Sequence, residues 1–490
     1  MRKLIALAAV VFAVTAAAFW IVPDQAARGF GLEAIGASGE ATLRADLGGL
    51  FAGLALVCAA AAWTGMRAWL AAAAMFLAAI VTGRVIAWTA NGGATGDVGS
   101  LAIELVVLAL LIAAMRVSKP ADPQMKTWRR PAIVTASLAA VGLTGFAAMS
   151  SPTVAKEIYD RASYERAGRT NLAPMADDAL RVAVCGSSAP LPSPDRAKAC
   201  VAVFAGGKFY IVDVGPESVE NLVLWRIPMS QIGGVMLTHF HSDHIGDLGE
   251  LNLQTWAGGR PMPLPVYGGP GVESVVDGFN GAYRLDQGYR TTHHTAKIMD
   301  PETWPMVARP VELNGPATAA KDRTGLVLLD GALRVTAIEV DHAPITPAYA
   351  YRFDYKGRSV LVTGDLKSHQ PLIAAATGVD VMVSEAISFA MTRAISEGAR
   401  AGGRDRAATI MHDIEDYHIT PEQSAAIANA AGVKLLVFYH LLPAPDGWLP
   451  RRLFAQGIDE ARDGEWTMAD DGSLYTLPIG SSDVRRGRVE

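Results

Sequence analysis

Histidine is missing from the first 238 residues of this 490-residue chain: all ten lie between His239 and His440, so imidazole chemistry belongs to the second half. Cysteine is scarce as well, three in all, with no cysteine-rich electron-transfer segment. Basic runs are absent and the net charge is only -5, too small to imply a charged partner, and no nucleic acid is expected. What is over-supplied is apolar surface. A hydrophobic share of 51% is high for a soluble protein, and the excess is concentrated before residue 150.

That excess forms five apolar segments long enough to approach a bilayer's roughly 30 Å of hydrocarbon: Leu4 to Val22, Leu47 to Thr64, Ala68 to Ala90, Leu101 to Met115 and Pro131 to Met149. The first has a secretory look, with Arg2 and Lys3 before an Ala-rich core, but four more spans follow and retention is favoured. Arg2 and Lys3, Arg67, and the group Arg116, Lys119, Lys126, Arg129 and Arg130 fall in alternate loops, which places that side in the cytoplasm. With five spans, everything after Met149 emerges on the opposite face. The expectation is an inner-membrane, multi-pass protein whose remaining domain is periplasmic or extracellular. Arg84 and Glu104 interrupt the spans at similar depth and either pair or snorkel to the interface. Cys58 lies within a span, whereas Cys185 and Cys200 bracket a loop and are either bridged or two buried thiols.

The second half is organised around Thr238-His239-Phe240-His241-Ser242-Asp243-His244. An apolar run, 232–237, precedes it and a helix opening, 245–248, follows, so it occupies a strand-to-helix loop. There His239 and His241 converge on one ion, while Asp243 and His244 point a few ångströms away, which implies two metals. Neutral imidazole and carboxylate suit Zn²⁺ at roughly 2.0 to 2.2 Å.

This motif resembles that of the metallo-β-lactamase fold superfamily, whose dinuclear sites take further ligands from a distant His, an Asp after Gly, and a last His. His342, Asp365 and His440 match that order, each at the end of an apolar run. The resemblance covers roughly Arg181 to Leu477 and implies an α/β domain, the αββα sandwich, over 181–490. A linker, 151–180, would join it to an all-α region of about five transmembrane helices, 1–150. It also implies that Asp213, closing 209–213, supports the metal loop from behind. From Val340 onward the resemblance narrows to the branch with ribonuclease Z and arylsulfatase-like hydrolases. Asp341-His342-Ala343-Pro344, Thr363-Gly364-Asp365, Ser384-Glu385-Ala386 and His418-Ile419-Thr420-Pro421 carry it. By that resemblance His418 is the proton donor and Glu385 orients it. Ser384 stands where the branch has His, which leaves the Glu385 role in doubt. His418 could instead be a residue at a helix start. Arg290, His293 and His294 lie in a segment dense in aromatic, Arg and His groups, either substrate-facing or a solvated helix.

The expected chemistry is hydrolysis at two Zn²⁺ ions. His239, His241 and His342 would hold one, Asp243, His244 and His440 the other, and Asp365 would bridge them around a hydroxide. Asp243 would be indispensable to turnover. An ester-type bond, phosphodiester or sulfate, in a small or lipid-like substrate is favoured, with lactone or β-lactam cleavage as an alternative. The branch's long tRNA-gripping insertion is missing here, since only 22 residues separate His342 from Asp365, which argues against a tRNA substrate. Two other readings are a non-catalytic membrane sensor, against which the complete ligand set argues, and di-iron oxidoreductase chemistry, against which the cysteine content argues.

Overall fold

Strands β1 (Ala179–Gly186) and β2 (Cys200–Ala205) are buried along their whole length and alternate between two cores. Leu180, Val182, Val201 and Val203 face one core, and Ala183, Cys185, Ala202 and Phe204 face the other. A strand buried on both faces belongs to a sheet covered on both sides. A computed structural model describes residues 2–28, 40, 42–64, 67–90, five residues between 108 and 115, 152–314, 323–367 and 371–489.

The chain divides into two compact units, before and after Tyr159. In the first, helices α1 (Arg2–Ile21), α2 (Gly49–Thr64) and α3 (Arg67–Ala90) pack through Ile5, Ala9, Cys58, Ala61, Leu70 and Leu77. Leu7, Val10, Val14, Leu56 and Trp63 are exposed, Trp63 at 88%. The five-span expectation is not met. Among the described residues one helical stretch, Leu43–Trp63, is long and apolar enough to cross a membrane, and those at Ile5–Ile21 and Arg67–Thr82 are shorter. Those two stretches fall within α1, of 20 residues, and α3, of 24, so the first three apolar runs do form helices. The fourth expected span lies mostly, and the fifth wholly, outside the described residues, as does the Arg84–Glu104 pairing.

Helix α4 (Pro152–Ala167) carries the division at Tyr159, and the second unit contains an eight-stranded sheet. It contains β1, β2, β3 (Lys208–Val212), β4 (Ile232–Met236), β5 (Leu264–Gly268), β6 (Met306–Pro310) and the later β14 (Ser473–Pro478) and β15 (Arg485–Arg488), in the order β15-β14-β1-β2-β3-β4-β5-β6. The second sheet runs β13-β12-β11-β10-β9-β8-β7. Its strands are β7 (Thr324–Asp330), β8 (Leu333–Glu339), β9 (Tyr349–Tyr355), β10 (Arg358–Val362), β11 (Val381–Ile387), β12 (Leu435–Leu442) and β13 (Glu465–Met468). Tyr210, Val212, Met236, Tyr351, Phe353, Val437 and Tyr439 fill the space between the sheets. Helices α5 (Ser242–Ile245), α6 (Leu248–Ala257) and α7 (Val272–His294) follow strands of the first sheet, and Leu248 and Leu251 cover its outer face. A hairpin of α8 (Phe389–Ala401) and α9 (Asp405–Asp413), then α10 (Pro421–Ala430), joins β11 to β12. Ala425, Ile427 and Ala428 of α10 cover the second sheet's outer face. The result is the expected αββα sandwich.

Cys185 and Cys200 form a disulfide between the neighbouring strands β1 and β2, with Cα atoms 5.0 Å apart. It closes the loop 186–199. Arg196, buried beneath that loop, donates to Ser187 Oγ at 2.8 Å and to Asp446, while Asp471 accepts from Ser187 N at 2.9 Å. Ser188 bridges to Leu441, so this loop lies beside the end of β12.

Candidate metal centre

Every residue of the proposed ligand set sits just past or at the end of a strand. Strand β4 ends at Met236, and the chain turns through Thr238 to His244 into the single turn of α5. Asp213 holds that turn. Its Oδ1 accepts from Thr238 N at 2.8 Å, and its Oδ2 accepts from Thr238 Oγ1 at 2.7 Å and meets His244 Nδ1 at 2.8 Å. With Nδ1 facing a carboxylate, His244 turns Nε2 into the site. Tyr351 Oη donates to Leu237 O at 2.8 Å and fixes the same turn from the opposite sheet.

His239, His241, His342 and Asp365 form one group of potential ligands, and Asp243, His244 and His440 a second. Asp365 lies between them. Its Oδ2 is 3.9 Å from His239 Nε2 and 3.3 Å from His244 Nε2, and its Oδ1 is 3.5 Å from His440 Nε2. His239 Nε2 and His241 Nδ1 approach to 3.0 Å, and the Nε2 atoms of His244 and His440 to 3.2 Å. All but His241 are buried.

The donor chemistry fits metal ions. His342 Nε2 and Asp365 Oδ1 are buried without a hydrogen-bond partner, an arrangement costly for polar atoms unless something else binds them. His342 Nδ1 donates to Tyr417 O at 2.8 Å, which leaves Nε2 with its lone pair. Burial pushes the His342 imidazole down to about 4 and holds His239 well below its ordinary range, so both are neutral, as ligands must be. Burial raises Asp243, yet the His244 and His440 imidazoles outweigh it and draw the carboxyl down to about 2. Burial disfavours a charged His244, but Asp365, Asp213 and Asp243 hold it well above the usual range. That carboxylate field favours a cation at this spot.

Two of these residues required unusual backbone. Gly364, at φ 61°, comes so near the motif that a Cβ there would lie 2.7 Å from Thr238 Cβ, which explains why Gly precedes Asp365. His440 sits at φ 42° in a bulge: Glu385 pairs with Tyr439 and Ala386 with Leu441, so His440 has no partner across the β11–β12 ladder. The extra residue flips the alternation, since Leu436, Phe438 and then Leu441 face the outer core. His440 is thereby aimed into the site instead of into either core.

Beside the two groups, Asp365, Glu385, His418 and His440 form a third buried cluster. His418 Nδ1 lies 2.8 and 3.0 Å from the Glu385 oxygens, and Leu366 N donates to Glu385 Oε1 at 2.8 Å. Ser384 Oγ accepts from Ser424 Oγ at 2.8 Å and donates to the Glu385 backbone carbonyl at 3.0 Å, leaving the Glu385 carboxylate to His418 and Leu366 N. The cap of α10 is Thr420, paired with Gln423, and His418 has no part in it. Burial lowers His418, but the Glu385 carboxylate outweighs it and raises the imidazole.

Arg290, His293 and His294 are not brought to the site. They end the 23-residue helix α7, whose first turn lies beside Phe240; Arg290 pairs with Asp286 on the same face, and His293 and His294 are exposed and contact each other. A helix of that length spans roughly 34 Å, which carries its last turn far from the ligands. Sequence reasoning missed three features: the Tyr417 carbonyl behind His342, the Thr238 side chain behind Asp213, and the 186–199 loop beside His440. Only Thr238, adjacent to the motif, carried a signal.

Residues 210–441 match the family described as the beta-lactamase superfamily domain. Ribonuclease Z of Mycobacterium avium is 34% identical over 272 residues, 54% of this chain and 87% of its own length. Ribonuclease Z of Mycolicibacterium gilvum is 30% identical over 267 residues, 54% and 85% respectively. Among solved structures, the short form of human tRNase Z is similar with a TM-score of 0.44 at 20% identity, covering 61% of this chain and all of that one. The metallo-β-lactamase fold protein YhfI from Bacillus subtilis gives 0.42 at 18%, covering 61% and 99%. None of these is an arylsulfatase. They also correct the expectation of a small-molecule or lipid-like ester and no nucleic acid: relatives covered over most of their length are named as ribonucleases, enzymes of a nucleic acid. A missing basic run could not exclude such a partner, because a fold collects its cations from distant segments. The relatives and the metal-fitting site together settle the class: the chain belongs to the metallo-β-lactamase superfamily, with the ribonuclease Z enzymes, and is a metal-dependent hydrolase.

Proposed function

We propose that this protein is a dinuclear zinc phosphodiesterase acting on RNA. The observation that carries the reading is the pair of ligand groups with Asp365 between them and the buried His418–Glu385 pair at their edge. His239, His241 and His342 would hold one ion, Asp243, His244 and His440 the other, and Asp365 both. Bound there, the ions would supply the Lewis acidity that acidifies water and stabilises negative charge developing on a phosphoryl group.

The chain's own residues do the rest. Asp213 and Tyr417 O fix the orientation of His244 and His342, so the ligands are preorganised. Glu385 keeps the Nδ1 proton of His418 engaged and raises its imidazole, which favours the protonated form. Nε2–H is then the proton available to a departing ribose oxygen, a transfer that contributes typically 10²- to 10⁴-fold. The ribonuclease Z relatives support a phosphodiester, and specifically RNA, over the other esters such a site could cleave.

The membrane setting belongs to this proposal. The exposed apolar side chains of the first unit support an anchor, and a disulfide at Cys185–Cys200 supports a hydrolase unit in an oxidising, extracytoplasmic compartment. Thiol counting under denaturing conditions without reductant tests the compartment: a single reactive thiol, Cys58, is expected, and three would sink it. For the enzyme, the purified full chain loaded with zinc should cleave labelled RNA and bis(p-nitrophenyl) phosphate, and lose both activities in Asp243→Ala. Zinc-loaded protein that cleaves neither diester would overturn the reading.

A further inference from the structure

The hairpin α8–α9 runs directly between the two members of the proton-delivering pair: Glu385 lies four residues before α8, and His418 five residues after α9. It is held at its base by Glu415, which accepts from Thr392 at 2.9 Å and pairs with Arg393 at 2.9 Å, and at mid-length by Ser396 Oγ, which donates to Ala408 O at 2.7 Å. Beyond those contacts it is a solvated arm. The 13 residues of α8 make it roughly 20 Å long. From Ala401 to Arg406 every residue is exposed.

The charge of its end is unlike that of the whole chain. Between Gly398 and Ala408 stand Arg400, Arg404 and Arg406 against Asp405 alone, on a protein of net charge -5. Arg393, nearer the base, is neutralised by Glu415, whereas Arg400, Arg404 and Arg406 make no ion pair among the described residues. Arg404, Asp405, Arg406 and Ile410 also line a shallow concavity at this end. Three unneutralised guanidinium groups on an arm rooted beside the site offer the bidentate geometry that phosphates accept.

We infer that the α8–α9 arm is an RNA-binding element, gripping the sugar-phosphate backbone through Arg400, Arg404 and Arg406 away from the scissile bond. This rests on the RNA reading above. Such contacts are independent of sequence and set affinity and register.

The test compares the full-length zinc-loaded protein with R400A/R404A/R406A, on a labelled structured RNA and on bis(p-nitrophenyl) phosphate. The ratio of kcat/KM on RNA to that on the small diester should fall at least about tenfold, mostly through KM. The slope of log affinity against log salt should become shallower by about 2, the loss of up to three phosphate contacts. An unchanged ratio and slope, with RNA still cleaved by both proteins, would overturn the arm's role and leave the RNA reading standing. Native protein that hydrolyses the small diester but neither binds nor cleaves RNA would overturn both. Loss of binding to anionic phosphatidylglycerol vesicles, with RNA affinity unchanged, would also overturn the proposal and assign the arm to a membrane surface.

Discussion

Asp213 and His440 both hold their backbones in the left-handed region, at φ 59° and 42°, a conformation that costs a non-glycine residue about 1 to 3 kcal/mol. Each is overdetermined by its neighbours, Asp213 by three contacts and His440 by the bulge in β12. Asn tolerates that backbone, so Asp213→Asn should fold while losing the charge and one of the two acceptor oxygens. Its zinc affinity, read by chelator competition, should drop about 10- to 100-fold; unchanged affinity would contradict the orienting role. His418→Ala should lower kcat on RNA by about 10²- to 10⁴-fold. The loss should be much smaller on bis(p-nitrophenyl) phosphate, whose leaving group departs without a proton. Equal losses on both would rule out proton donation. At this scale the sequence was informative about identity and silent about conformation. Three imidazoles and a carboxylate within His239 to His244 announce a metal, but the positive φ of His440 depends on strand β11, 50 residues away, and no local pattern encodes it.

Strand ends carry the site, and the links between elements keep them aligned. Gly364→Ala would bring a Cβ to 2.7 Å from Thr238 Cβ at a backbone angle that disfavours it, so the Thr238 turn and Asp365 must part. A lowered unfolding temperature together with lost zinc is expected, and full zinc occupancy would contradict the account. The Cys185–Cys200 bridge closes a loop of sequence separation 15. Replacing both by Ala should cost about 3 kcal/mol on a chain-entropy argument, read as the shift in urea midpoint of the full chain. The strands that lead to the ligands, β4, β8, β10 and β12, were legible because each is a short, largely apolar run. The helices were less so. Residues 282–294 read equally as a substrate-facing segment or a solvated helix, because the exposed face of α7 is rich in Arg, His and Tyr; the structure shows the solvated helix, and its start at Val272 is what carries its end away. The α8–α9 arm went unnoticed because its apolar positions, such as Met391 and Met411, cover only a narrow contact.

Across the whole hydrolase unit, Arg358 and Asp380 clamp the second sheet to the chain's last turn. Arg358 Nε is 3.0 Å from Asp380, Lys434 Nζ is 2.7 Å from it, and Arg358 also donates to the carbonyls of Pro478, Ser481 and Asp483. Burial raises the Asp380 carboxyl, but bonds from Arg358 and Lys434 outweigh it and lower it below its usual 3.8. A depressed carboxyl contributes stability that is present above the unfolded value and lost as pH falls through the folded one. The urea midpoint of the native chain should therefore exceed that of Asp380→Asn at pH 6, and the difference should shrink below about pH 4. A difference that grows on acidification would refute the clamp. Hydropathy is a weaker guide at this scale than pattern is within a strand: apolar content located the helices of the first unit, and among the described residues one stretch is long and apolar enough to cross a bilayer. The central claim is that seven side chains, from His239 to His440, hold two metal ions for phosphodiester cleavage. It is tested most directly by elemental analysis of the purified full chain alongside its diesterase activity. The account predicts about two zinc ions per chain, with occupancy and turnover falling together in Asp365→Ala; unchanged occupancy and turnover in that variant would contradict it.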